Sequence, residues 1–224
     1  MSPIHKETIA VLGGTGREGK GLAYRFAQAG YKVLIGSRDS EKALITETEL
    51  LNLLHGQAQI EGMKNIQAAA QADVVFLAVP YSAHQGILKE ITDAVSGKLL
   101  VDVTVPLIPP EITKVLVPPS GSAAQEAREI LGDNVDITTA FQTISFKNLM
   151  SDHSIECDVL ITGTRIEART RTLALVKAIH FVGWDAGPIE NSVVVEGLAP
   201  VLRYINKNYG VKNAGIKITG IPKE

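Results

Sequence analysis

A single cysteine, Cys157, occurs among 224 residues. One thiol closes no internal disulfide and supplies no sulfur cluster for a zinc or iron–sulfur site, which fits a reducing compartment. Cys157 therefore reads as a small buried hydrophobe, and no metal site is expected. Charge of one sign is also missing, since the formal net charge is −2. That balance gives neither nucleic acid nor an anionic membrane an electrostatic footing. No apolar run reaches the length of a membrane span. The opening "MSPIHKETIAVLGG" has no basic region, long apolar run or small-residue cleavage site of a signal peptide, and leads directly into a strand pattern. Internal repeats, low-complexity tracts and an obvious flexible linker are absent too. With 45% hydrophobic and 21% charged residues, the chain reads as a soluble, cytoplasmic globular protein.

What is present is an alternation. Apolar runs of strand length, such as "TIAVLG" (8–13), "YKVLIGS" (31–37), "DVVFLAVP" (73–80) and "KLLVDVTV" (98–105), are separated by segments of helical length. This pattern predicts an α/β fold, a Rossmann-type doubly wound parallel sheet covered by helices. "VDITTAF" (135–141) reads as the last strand of a first domain, 1–140. Residues 141–224 hold a helix stub, a strand at 157–163, a helix at 165–180, a short extended piece and a long apolar helix at 190–208, and read as a smaller C-terminal α/β lobe packed tightly on the first.

Gly14, Gly16 and Gly19 form G-x-G-x-x-G between the first strand and the first helix. In that context the pattern has a mechanical meaning. The first glycine allows a tight turn, the second lets backbone approach a pyrophosphate, and the third lets helix and strand pack closely. The helix start then offers free N–H groups and a partial positive charge to the anion. Thr15 and Arg17 stand where side chains add phosphate contacts.

The second strand ends in "GSRDSEK". An NAD site usually has an acid at this tip to accept from the ribose hydroxyls. Here Ser37 offers a hydroxyl, Arg38 a planar fork suited to phosphate, and Lys42 a further charge one helical turn on, so NADP is the expected dinucleotide. The competing reading has Arg38 and Lys42 merely solvated and Asp39 meeting the ribose.

No acid–base set accompanies this grip. Tyr24, Tyr81 and Tyr204 each lack a lysine four positions on, and there is no G-x-S-x-G, H-E-x-x-H or Cys–His arrangement. His84 reads as a packing or surface residue in preference to a nicotinamide contact, and Asp102 as a loop cap or a catalytic acid. No catalytic side chain is assigned. Hydride transfer between two stacked planar cofactors needs orientation at about 3–3.5 Å more than it needs a protein proton donor.

"VLGGTGREGKGLA", "IGSRDSEKA", "LAVP", "LVDVTVP", "GSAAQEA", "DAGPIENSVVVEGLAPVL" and "NAGIKITGIP", in this order and spacing, resemble the NADPH-dependent coenzyme F420 reductases, also called F420H2:NADP oxidoreductases, over essentially the whole chain. The resemblance implies a dimer-based homo-oligomer, an NADP-binding N-terminal domain, and a C-terminal lobe that closes a cleft for the deazaflavin. Carried over, Thr15, Gly16 and Arg17 would hold the pyrophosphate and Ser37, Arg38 and Lys42 the 2′-phosphate. Val79 and Pro80 would border the nicotinamide, while Gln142, Thr143, Ile144 and Ser145 would line the deazaflavin side. Two positions depart from some members, which have histidine at Gln142 and arginine at Val193. An NADPH-dependent flavin or ferric reductase and a non-catalytic NADP sensor stand as alternatives. A dehydrogenase of small hydroxy acids would want a catalytic lysine and a longer helical domain.

Overall fold

Strand β1 (Ile9–Leu12) is buried on both faces, and its side chains alternate between two cores: Ile9 and Val11 enter one, Ala10 and Leu12 the other. A strand read this way lies inside a parallel sheet covered on both sides. The structure, a computed structural model, describes residues 6–151 and 156–221. Residues 1–5, on which part of the signal-peptide reading falls, lie outside the described residues, as do 152–155 and 222–224.

The remaining strands are β2 (Lys32–Ser37), β3 (Gln59–Lys64), β4 (Val74–Leu77), β5 (Leu99–Asp102), β6 (Asp136–Thr139), β7 (Asp158–Gly163) and β8 (Val182–Pro188). They form one sheet in the order β3-β2-β1-β4-β5-β6-β7-β8. All neighbours are parallel except β6 and β7. Strand order reverses between β1 and β4, which opens a crevice at their carboxyl ends.

Helices α1 (Arg17–Gln28), α2 (Ser40–Leu53) and α7 (Ile166–Ala178) bury Leu22, Phe26, Leu50 and Val176 on one face of the sheet. Helices α3 (Asn65–Gln71), α4 (Tyr81–Ile91) and α5 (Ala123–Leu131) bury Ala68, Leu88 and Ala127 on the other. The Asp39 side chain caps α2, accepting from the N–H groups of Glu41 and Lys42 at 3.1 and 3.3 Å.

The C-terminal part supplies a short α6 (Phe146–Leu149), β7, α7, β8 and α8 (Ser192–Asn208). Its two strands extend the same sheet. β7 runs antiparallel along β6, with Thr139 Oγ1 and Thr162 Oγ1 2.8 Å apart across the seam, so the β6 edge is covered. A run of aromatic contacts ties the halves together. Phe26 meets Phe76, Phe76 meets Phe141 and Phe141 meets Phe181, at centroid distances of 4.8, 6.4 and 5.7 Å. Such pairs add roughly 0.5–1.5 kcal/mol each beyond their burial. Arg25, buried on α1, holds the end of α6 through Nε to Leu149 O at 2.8 Å, and also bonds Asn148 O and Ser151 O. Cys157 is a free, buried thiol, as expected.

Candidate active site

The turn from β1 into α1 is fixed by backbone. Gly13 N and Gly14 N both donate to Gly36 O, at 3.0 and 3.1 Å, and Gly16 N donates to Gly13 O at 2.9 Å. Gly13 has φ +76°, and a Cβ there would lie 2.4 Å from Ala78 O. Both facts demand glycine. The G-x-G-x-x-G reading passed over this residue, although the doublet Gly13-Gly14 marks it. Gly19 is the close-packing glycine, since a Cβ on it would stand 2.5 Å from Gly13 O. Gly16 caps α1 without any side-chain hydrogen bond, leaving the first-turn N–H groups to an anion.

A cleft of about 460 Å³ opens beside this turn. Thr15, Gly16, Ser37, Arg38 and Lys42 come together on its wall, as do Val79 and Pro80 from the turn after β4. Ser37 Oγ accepts from Asp39 N at 3.2 Å, and Lys42 Nζ stands 3.8 Å from Asp39 Oδ2. Asp39 is thus occupied as a helix cap and ion-pair partner, while Arg38 is exposed. Lys20, on the same wall, pairs with Glu49. Asn65 also lines this cleft, and its Oδ1 is buried with no hydrogen-bond partner.

A second cleft, of about 830 Å³, meets the first along Gly16 and Ala78–Pro80. Gln142 and Ile144 line it, joined by Thr104, Phe141 and, from α8, Ala199 and Arg203. Arg17 lines this cleft, and its guanidinium carbon sits 5.3 Å from the Phe146 ring centroid. Thr143 and Ser145 do not reach the wall. Thr143 is buried, and Ser145 Oγ caps α6 by accepting from Lys147 N. Phe141 has φ +72°, an uncommon conformation for a bulky side chain, at the point where the chain leaves β6 for the cleft. Gln142 Nε2 donates to Asp102 O at 2.7 Å, which leaves its buried Oε1 without a partner. Thr104 Oγ1 is likewise buried and unpartnered. Thr104 and Gln142 thus bring polar side chains to the lining of a cleft that is otherwise largely apolar.

Behind the clefts lies a charged network. Both ring nitrogens of the fully buried His84 are 2.7 Å from carboxylates, Nδ1 from Glu126 Oε1 and Nε2 from Asp102 Oδ2. Burial opposes the imidazolium, but Asp102 and Glu126 outweigh it and lift the His84 pKa to about 9. Glu126 also accepts from Tyr81 Oη at 3.1 Å and Gln85 Nε2 at 2.8 Å. Desolvation, then Glu126, raises Tyr81 to about 12. Neither His84 nor Asp102 lines a cleft; Asp102 caps the following turn through Oδ1 to Thr104 N at 2.9 Å. At the cleft itself, burial raises the Glu18 carboxyl to about 8 against the opposing charge of Arg203. Among the described residues no cluster of His, Cys, Asp or Glu is arranged to hold a metal, and no helix is long and apolar enough to cross a membrane. The two clefts meet at Gly16 and Ala78–Pro80, so planar groups held in them would come together there.

Residues 8–106 match the family model described as NADP oxidoreductase coenzyme F420-dependent. The chain is 38% identical over 223 residues to the F420-dependent NADP reductase of Methanothermobacter thermautotrophicus, covering 96% of each protein. It is 36% identical over 222 residues to the enzyme of that name from Methanothermobacter marburgensis, covering 96% of this chain and 99% of that one. A crystal structure of a putative F420-dependent NADP reductase from Arthrobacter sp. FB24 superposes with a TM-score of 0.80 at 22% identity, over 96% of this chain and all of that one, and so shares the fold. With relatives of this similarity along nearly its whole length, the chain belongs to the F420-dependent NADP reductase family.

Proposed function

We infer that this protein transfers a hydride reversibly between NADP(H) and the deazaflavin coenzyme F420. The observation that carries this reading is the pair of clefts sharing Gly16 and Ala78–Pro80. NADP(H) and F420 supply the donor and acceptor carbons when bound, and the protein's part is to hold them. The first-turn N–H groups of α1, with Thr15 and Gly16, suit a pyrophosphate, and Ser37, Arg38 and Lys42 suit a 2′-phosphate. Val79 and Pro80 give an apolar floor to the nicotinamide side of the junction. Gln142 and Thr104 bring polar side chains to the deazaflavin side of the cleft, beside Ile144 and Phe141. Arg17 and Arg203 place positive charge along the same cleft, Arg203 from the helix that also carries Val193.

Residues 1–140 would then form the NADP-binding unit and residues 141–224 the lobe that closes the deazaflavin cleft. That lobe contributes Ala199 and Arg203 to the wall. It also carries exposed apolar residues on α8, Val194, Val201 and Tyr204, which suit a homodimer contact. A cytoplasmic location agrees with the nature of both substrates.

The test is anaerobic oxidation of NADPH by the purified protein, followed optically, with F420, FMN and FAD as separate acceptors. Turnover with F420 and not with the flavins is expected. Flavin-only turnover would move the acceptor, and tight NADPH binding with no reduction of any acceptor would make the protein an NADP sensor.

A further inference from the structure

Glu18 has no part in the phosphate grip, yet it occupies the second cleft. It stands in the first turn of α1, lines the cleft beside Arg17 and Arg203, and its Oε1 is buried with no hydrogen-bond partner. An unpaired carboxylate there would face the anionic groups held at the start of the same helix, whereas a protonated acid would not. Burial favours the protonated form and Arg203, reaching in from α8, favours the carboxylate, so the two forms lie close in energy near pH 8.

The other groups around it are poor proton donors at that pH. Tyr81 of α4 gives its hydroxyl to Glu126 and is held near 12. Arg17, from its own helix, and Arg203 also line the cleft. Thr104 and Gln142, from the segments after β5 and β6, do not titrate. His84 is wholly buried between two carboxylates, away from the cleft.

Hydride transfer to a deazaflavin leaves one proton unaccounted for. The C4–H bond of NADPH breaks with its electron pair and a C5–H bond forms on the acceptor. NADP gains a positive charge, and the reduced ring needs an N–H proton to balance. We propose that Glu18 is the proton carrier of the acceptor half-reaction, giving its carboxyl proton to a ring nitrogen as the hydride arrives and recovering it in the reverse direction. The Glu18 O–H bond breaks, a ring N–H bond forms, and the carboxylate left behind faces Arg203 until water at the cleft mouth reprotonates it. This role rests on F420 as the acceptor.

Glu18→Gln keeps the shape and removes the titration. In the protein without substrates, the infrared difference between wild type and Glu18→Gln should show a protonated-carboxyl band that disappears as pH rises through about 8; Glu196 absorbs in both proteins and cancels. In single turnovers of NADPH with F420, the wild-type rate should fall above that pH, and Glu18→Gln should be slower by roughly 10²-fold and flat with pH. Its affinity for F420, read by fluorescence quenching, should stay within about threefold, because a carboxamide preserves the contacts of a neutral acid. Glu18→Asp, still an acid, should recover part of the rate and the pH dependence. A Glu18→Gln rate close to wild type, or no titrating band, overturns the proton role while leaving the reductase reading intact. Failure of the wild type to reduce F420 at all overturns both.

Discussion

His84 Nε2 lies 2.7 Å from Asp102 Oδ2, and neither side chain is exposed to solvent. Asp102 in turn fixes two parts of the second cleft, taking a hydrogen bond from Thr104 N on its side chain and one from Gln142 Nε2 on its backbone carbonyl. The histidine therefore acts at one remove. It ties α4, through Asp102, to Thr104 and Gln142, which line the cleft, and through Glu126 to α5. With two carboxylates on one imidazolium the cluster is sensitive to loss of its single cation.

His84→Ala should lower the unfolding free energy by about 3–5 kcal/mol, the cost of leaving a buried charged partner uncompensated. The pH dependence has a definite sign. The His84 pKa rises from 6.5 to about 9 on folding, so its contribution is complete below pH 6.5 and is lost as pH rises through 9. Glu196, raised to about 8 by burial and by Asp102 against hydrogen bonds from Ala123 N and Ala124 N, loses its contribution in the same direction. Urea midpoints of the wild type should drop between about pH 6.5 and 9, and less steeply for His84→Ala. Parallel curves for the two proteins would show that the imidazolium does not provide the linkage.

Arg38→Ala should separate the two dinucleotides. Arg38 is exposed at the tip of β2 and faces the same cleft as Ser37 and Lys42, where NADPH would place its extra phosphate. A charge-assisted hydrogen bond contributes about 1.5–3 kcal/mol, so the KM for NADPH should rise roughly 10–100-fold. NADH, lacking that phosphate, should be nearly unaffected in the same assay. Equal losses with both would assign Arg38 to something other than the 2′-phosphate.

The strands and helices were legible in the sequence because a parallel sheet buries both faces of each strand, which writes continuous apolar runs such as "VVFL". The phosphate turn was legible because its glycines are required by backbone geometry. Strand direction was not: nothing in the side-chain pattern of β7 distinguishes an antiparallel partner for β6 from a parallel one. Arg17 opens α1 directly after the Gly16 cap, and its side chain lies beside Phe146 on the second cleft, a placement the glycine spacing alone does not specify. Glu18 looks in sequence like any acid placed to suit a helix dipole. The His84 network was hidden for another reason, since its partners lie 18 and 42 residues away and only the fold brings them together.

Gly19→Ala should damage the phosphate turn while adding only one methyl group. The new Cβ would sit 2.5 Å from Gly13 O and 2.9 Å from Gly14 Cα, both backbone atoms that cannot step aside without moving the turn. Overpacking of this kind costs about 1–3 kcal/mol. Thermal unfolding should register that loss, and NADPH titration should show affinity falling by more than stability, because the first-turn N–H groups shift with the turn. Unchanged affinity in the folded variant would mean that the turn does not bear on the dinucleotide.

The outer face of α8 offers a separate test. Val194, Leu198, Val201 and Ile205 recur at i, i+4, i+7 and i+11, one stripe along the helix, with Val194 64% and Val201 43% exposed. Arg203 lies on the opposite side of the helix, toward the second cleft. The helix therefore has one face for the cleft and another left apolar, the face on which the proposed dimer contact is tested. Val194→Glu combined with Val201→Glu places two charges in that contact and removes apolar burial that contributes up to roughly 1.5–3 kcal/mol per valine. Sedimentation should show a dimeric wild type and a monomeric double variant that still binds NADPH, because the first cleft is untouched. A double variant that sediments with the wild-type dimer would place the interface on another face.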